Sequence, residues 1–175
     1  YLDISSNQVS SLSPLSKNNI LQTLLAQDNQ IESLKGLENK GQLVKLTLQY
    51  NAFTSIEPLK KCNKLVSLYL NNNTITDISV LANFADLKEL YLSSTKVEAI
   101  TALESLVNLE ILAVLNSPVK SLQGVEKMSK LQNLYCQKTM IQDLEPLRNL
   151  ASLQKIVFHK TAVPSLAPLN EMKNL

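Results

Sequence analysis

The chain has 175 residues, within the roughly 100–200 expected of one domain, with 45% apolar residues, a formal net charge of +2, two cysteines and one histidine. No apolar run approaches the roughly 18 residues of a membrane span, and no charge block marks disorder. The charge is too small for a non-specific nucleic-acid binder, and the cysteines and histidine are too few for a disulfide framework or a zinc cluster.

Within the apolar fraction 34 residues are leucine, while aromatic residues make up only 5% and glycines number 3; Asn and Ser reach 17 and 18. This bias comes from an internal repeat, since the sequence matches itself at a shift of 22 residues without insertion or deletion. Tyr1 falls at the third position of a first unit, and later units begin at Leu21, Leu43, Leu65, Leu87, Leu109, Leu131 and Leu153. Residues 1–175 therefore read as a single repeat domain that starts and ends mid-repeat, a piece of a longer protein. Its uncapped end units are expected to expose apolar layers and to favour self-association.

Each unit begins with a predicted strand. Its fourth position reads Leu2, Leu24, Leu46, Leu68, Leu90, Leu112, Leu134 and Ile156, and its sixth reads Ile4, Ala26, Leu48, Leu70, Leu92, Val114, Cys136 and Phe158. Apolar residues two apart mark a strand with one buried face. A polar side chain follows at the ninth position: Asn7, Asn29, Asn51 and Asn73, then Thr95, Ser117, Thr139 and Thr161. An amide there can bond the backbone of its own and the neighbouring turn, forming a ladder. The eleventh, fourteenth and seventeenth positions are again apolar. Ser or Asp at the thirteenth, except at Ala99, suits the N-cap of a short helical turn. Pro14, Pro58, Pro146 and Pro168 stand at the sixteenth, near the start of that turn, where a missing N–H costs little.

This is the leucine-rich-repeat pattern L-x-x-L-x-L-x-x-N-x-L. It implies an α/β solenoid of about eight units, a curved right-handed coil with a concave parallel β-sheet and convex 3₁₀ or short helical turns on the back of each unit. Segments such as NTITDISVLANFADL and MIQDLEPLRNLASL resemble the repeats of internalins, bacterial surface and secreted leucine-rich proteins. They are also similar to the 22-residue repeats of a eukaryotic phosphatase-1 regulator. Proline before the seventeenth-position leucine favours the internalin side, whereas the Asn ladder turning into Thr and Ser departs from both patterns. The resemblance implies a non-catalytic protein-binding module, on a secreted or cell-surface protein in the first case and an intracellular one in the second. A third alternative is the recognition arm of a larger enzyme.

Function in such a fold comes from positions that the repeat does not require. The third, fifth and seventh alternate with the buried ones and project from the concave face. There Tyr69, Tyr91, Ile111, Ala113, Leu115 and Tyr135 form one surface over four strands, with Val157 beyond it and Tyr50 beside it. Tyrosine is in any case a good strand-surface residue, but Ile111 and Leu115 have no such reason to be exposed. An apolar and aromatic patch of this kind points to a protein partner. Lys138, Lys155, His159 and Lys160 cluster at the C-terminal end of the same face, without acidic residues in the matching columns, and suit an acidic partner.

Nothing in the sequence supports catalysis, a cofactor or a metal. His159 has no Ser or Cys nucleophile and no orienting acid in its neighbouring columns. Cys136 and Cys62 occupy apolar positions and read as core thiols. More than three repeats separate them, about 15 Å at strand spacing, too far for a disulfide. Gly36 and Gly124 stand at the sixteenth position and Gly41 at the twenty-first, all in convex turns.

Overall fold

The computed structural model describes all residues from Tyr1 to Leu175. Eight short strands, β1 (Leu2–Asp3), β2 (Thr23–Leu25), β3 (Lys45–Thr47), β4 (Ser67–Tyr69), β5 (Glu89–Tyr91), β6 (Ile111–Ala113), β7 (Asn133–Tyr135) and β8 (Lys155–Val157), form one sheet. Every strand pairs in parallel with the next in sequence, and the fourth-position residues stand in a row from Leu2 and Leu24 to Leu134 and Ile156. The 22-residue period fixes this register, because each unit leads the chain once around the coil and back to the same edge. The strands cover the third to fifth positions, yet the ladder continues beyond them. The sixth-position amides of Ala26, Leu48 and Leu70 donate to the fifth-position carbonyls of the following unit at 2.8–2.9 Å.

Behind the sheet, 44 buried apolar side chains form one continuous core. The fourth, sixth, eleventh, fourteenth and seventeenth positions supply most of it, and Cys62 and Cys136 lie within it at 0% exposure. Burial pushes their thiols up to about 11 and about 12 respectively, so the core thiols are unreactive at neutral pH.

The convex side departs from the expected pattern in two ways. 3₁₀ turns occur in six units, at Ser13–Lys17, Glu57–Leu59, Ser79–Asn83, Thr101–Leu103, Glu145–Leu147 and Ala167–Leu169. The other two units carry Gly at the sixteenth position and make a single hydrogen-bonded turn instead, closed by the Leu37 amide on the Leu34 carbonyl at 3.1 Å and by the Val125 amide on the Leu122 carbonyl at 3.2 Å. Gly36 and Gly124 have φ of +106° and +108°, and their N–H groups donate at 2.7 Å to Glu38 and Glu126 respectively. A Cβ at Gly36 would lie 2.1 Å from the Leu12 carbonyl oxygen of the preceding unit. Close approach of backbone to backbone, as well as φ, therefore demands glycine here. The second departure concerns the thirteenth position. Its side chains do not cap a helix, because the residue flanking each 3₁₀ turn is the fourteenth and makes no side-chain bond. They accept instead from the amide two residues on, as in Asp77 from Ser79 at 2.8 Å and Asp143 from Glu145 at 2.9 Å. These are Asx and Ser turns one residue ahead of the helical entry. Ala99 can make no such bond.

Candidate functional site

The strand–loop junction is built first by the ninth-position ladder. Asn29 Nδ2 donates to the Ile4 carbonyl of the preceding unit at 2.8 Å and to its own Ala26 carbonyl at 3.3 Å, while its Oδ1 accepts from the Val9 amide at 2.9 Å. Asn51 repeats this with Ala26, Leu48 and the Ile31 amide. Asn73 donates to Leu48 and Leu70, but its buried Oδ1 has no donor. Asn7, in the first unit, bonds only its own turn. From Thr95 onward the bridge between units is lost. The hydroxyls of Thr95, Ser117, Thr139 and Thr161 donate only to the sixth-position carbonyl of their own unit.

Next to the ladder, the eighth residue of every unit is left-handed, from Ser6 (φ 52°) through Tyr50 (57°), Lys138 (57°) and Lys160 (59°). The sequence carries a partial signal for this: Asp28, Asn72 and Asn116 fill three of the eight positions with the residues that, after glycine, tolerate that region best. The turn aims Tyr50, Lys138 and Lys160 along the rim, where all three are exposed.

The concave face carries an ordered aromatic column. The fifth-position side chains of β4 to β7 run Tyr69, Tyr91, Ala113, Tyr135 in register. The Tyr69 and Tyr91 rings are stacked, with centroids 4.5 Å apart and planes 9° from parallel. Lys45 Nζ lies 5.8 Å from the Tyr69 ring and Lys155 Nζ 5.1 Å from the Tyr135 ring, so a cation covers each end of the column. Tyr69 donates its hydroxyl to Glu89 at 2.6 Å. Desolvation, followed by Glu89, pushes the Tyr69 and Tyr91 hydroxyls above their ordinary range, so they stay neutral further into alkaline pH than an exposed tyrosine does.

Of the site residues expected from sequence, Tyr69, Tyr91, Ile111, Leu115, Tyr135 and Val157 are half-buried on this face. Ala113 is 2% exposed and forms a floor, because the taller tyrosines on both sides rise above it. A depression of about 530 Å³ opens there, lined by Tyr50, Tyr91, Ala113, Leu115 and Tyr135, with Gln49, Asn71, Asn72, Ser93 and Ser94 along one side. The polar members of this lining were missed from sequence, because polar residues recur along the seventh and eighth columns of nearly every unit and single out none of them. Ser93 Oγ and Gln49 Oε1 are buried and unpaired. Lys138, Lys155, His159 and Lys160 are all exposed, and none takes part in the four ion pairs of the chain. No group of three His, Cys, Asp or Glu side chains is placed to hold a metal ion. No helix is long and apolar enough to cross a membrane.

The family model for Leucine Rich repeats (2 copies) matches residues 42–83. No curated protein sequence matches the chain. Among solved structures, an internalin (InlF) from Listeria monocytogenes is 26% identical with a TM-score of 0.96, over 100% of this chain and 52% of that one. Internalin C2 from the same organism is 28% identical with a TM-score of 0.96, over 99% of this chain and 76% of that one. The chain thus spans about half the length of the first and about three quarters of the second. The PEPR1–AtPEP1 structure, 18% identical with a TM-score of 0.82 over 93% of this chain and 25% of that one, shares the fold alone. Repeat period, strand register and backbone agreement converge on one conclusion: the chain folds as a leucine-rich-repeat solenoid similar to those of the two internalins.

Proposed function

We propose that the chain is a non-catalytic interaction module of a bacterial surface or secreted protein, and that it binds a protein partner on its concave face. The aromatic column carries this reading. A fold that needs only its fourth and sixth strand positions for the core has placed stacked tyrosines, Ile111 and Leu115 on the opposite face, where they contribute little to that core. The unpaired Lys138, Lys155, His159 and Lys160 beside the column suit an acidic surface on the partner. The bacterial context is supported by the likeness to the two Listeria internalins.

The test is a titration of a purified partner against variants at low and moderate salt. Leu115→Ala is expected to weaken binding by about 2 kcal/mol, as a buried interface anchor does, with little change in stability. Tyr91→Ala should weaken it similarly, but also lower stability by about 0.5–1.5 kcal/mol through loss of the stack on Tyr69. Lys155→Glu with Lys160→Glu should slow association and alter its salt dependence, whereas Lys127→Glu on the convex side should change nothing. Wild-type binding by both apolar truncations, together with loss of binding on convex substitution, refutes the concave-face reading.

A further inference from the structure

The column of tyrosines is interrupted once. Tyr91 uses one ring face against Tyr69, so its other face is turned toward β6. Lys155, on β8, covers the outer face of Tyr135, whose inner face is therefore also turned toward β6. Between them stands only Ala113, in register with both and buried beneath them. Two strand spacings separate the facing rings, about 9–10 Å. Twice the 4.5 Å pitch of the Tyr69–Tyr91 stack fits this span. The gap is one ring thick.

We infer that the break over Ala113 is a slot for one planar aromatic side chain of the protein partner, a tryptophan or tyrosine, with Tyr91 and Tyr135 as its walls. This rests on the concave-face reading and names the group that anchors it. Two observations select the occupant. Ser93, a residue 7% exposed, lines the depression, and its Oγ, buried and without a hydrogen-bond partner, becomes an acceptor for an indole N–H or a phenol O–H once its side chain rotates toward the slot. A flat cation such as a guanidinium is disfavoured, because the depression contains no carboxylate. Glu89, on the third position beside it, is engaged by the Tyr69 hydroxyl, and the unpaired Lys155 stands behind Tyr135.

Ala113→Tyr tests the slot directly, since the new ring would fill it from within in the pose of its three column neighbours. Amide chemical shifts of the intact chain are followed while N-acetyltryptophanamide is titrated, with N-acetylargininamide in parallel. The expected result is saturable shifts confined to the surroundings of Tyr91, Ala113, Leu115 and Tyr135. They should persist in Ala113→Ser and weaken roughly tenfold or more in Ala113→Tyr, as loss of two stacking faces requires. Should Ala113→Tyr fail to fold, Tyr135→Leu removes one wall and is expected to weaken the probe as well. Shifts scattered elsewhere, or unaffected by Ala113→Tyr and by Tyr135→Leu, overturn the slot, and equal binding of the arginine probe overturns its aromatic assignment. The probe is not the partner, so the slot can fail while Leu115→Ala still weakens the partner, and the two failures are told apart.

Discussion

At the residue scale, one chemical difference divides the solenoid. An asparagine at the ninth position offers two donors and an acceptor, enough to tie its own turn to the preceding unit. A threonine hydroxyl closes only its own turn, as Thr139 does on Cys136 at 2.6 Å. Asn73→Ala is therefore expected to cost about 1–3 kcal/mol and Thr139→Ala less, about 1 kcal/mol, in urea melts; equal losses would mean that the hydroxyl serves the position as fully as the amide. Lys40 presents the opposite case. It occupies the twentieth position, filled by Asn18 in the first unit and by Cys62, Phe84, Leu106, Met128, Leu150 and Met172 in the later ones, and it is 0% exposed. Its ammonium donates to the Ser16 carbonyl at 3.1 Å and to Asn19 Oδ1 at 3.2 Å, with no carboxylate in reach. Lys40→Met keeps the volume and removes the buried charge, so it should match or exceed wild-type stability. Lys40→Ala should lose about 2 kcal/mol or more through the cavity. Thermal melts of the two variants check the contrast.

The convex turns show how a single position selects a whole element. Pro, Val or Ala at the sixteenth position gives a 3₁₀ turn, and proline there loses nothing because its N–H would be unpaired. Gly at the same position permits φ above 100° and brings the turn against the backbone of the preceding unit. Gly124→Ala would push a Cβ to 2.5 Å from the Ile100 carbonyl oxygen. The expected cost is on the order of 3 kcal/mol, combining backbone strain and displacement of the neighbouring unit. Gly41 is the control. A Cβ there meets only the Lys61 carbonyl oxygen at 3.4 Å, and Gly41→Ala should fall within about 1 kcal/mol of wild type. Denaturation midpoints of the two substitutions decide the matter, and similar losses from both would discredit the close-approach account.

Across the whole molecule, each unit touches only its neighbours, so stability is a sum of unit and interface terms. The last unit is the least covered: Leu166 is 59% exposed, and Ile156 and Phe158 are only half-buried. Hydrogen exchange on this 175-residue chain should protect β3 to β7 most strongly and release β1 and β8 first; uniform protection to both ends would contradict an additive solenoid. Alkaline pH acts on the same core. The Cys62 and Cys136 thiols are raised from an ordinary 9.0 to about 11 and about 12. Below pH 9 they are neutral in both states, and their contribution to stability is complete. Above it the unfolded chain loses its protons first, so stability declines as the pH rises toward 11 and 12. The neutral Tyr69 and Tyr91 hydroxyls add to the decline in the same direction. Urea midpoints at pH 8 and pH 10.5 should show the drop, and Cys62→Ala with Cys136→Ala should flatten it.

What the sequence determined by itself was everything tied to the period. A 22-residue repeat with apolar residues at the fourth and sixth positions leaves one way to bury those side chains, a parallel sheet in register, and it places Tyr69, Tyr91 and Tyr135 in one column before any coordinates are known. The glycine units, the Asx turns and the left-handed eighth residues also had local signals, in Gly36, Asp77 and Asn72. Only the tertiary structure decided how neighbours meet. Burial of Ala113 depends on the height of the tyrosines beside it, the faces of those rings on Lys45 and Lys155, and the unpaired Ser93 hydroxyl on what three adjacent units leave around it. These are contacts between residues 20 or more positions apart. A periodic pattern specifies where each side chain starts, but not which rotamer its neighbours across the sheet leave open to it.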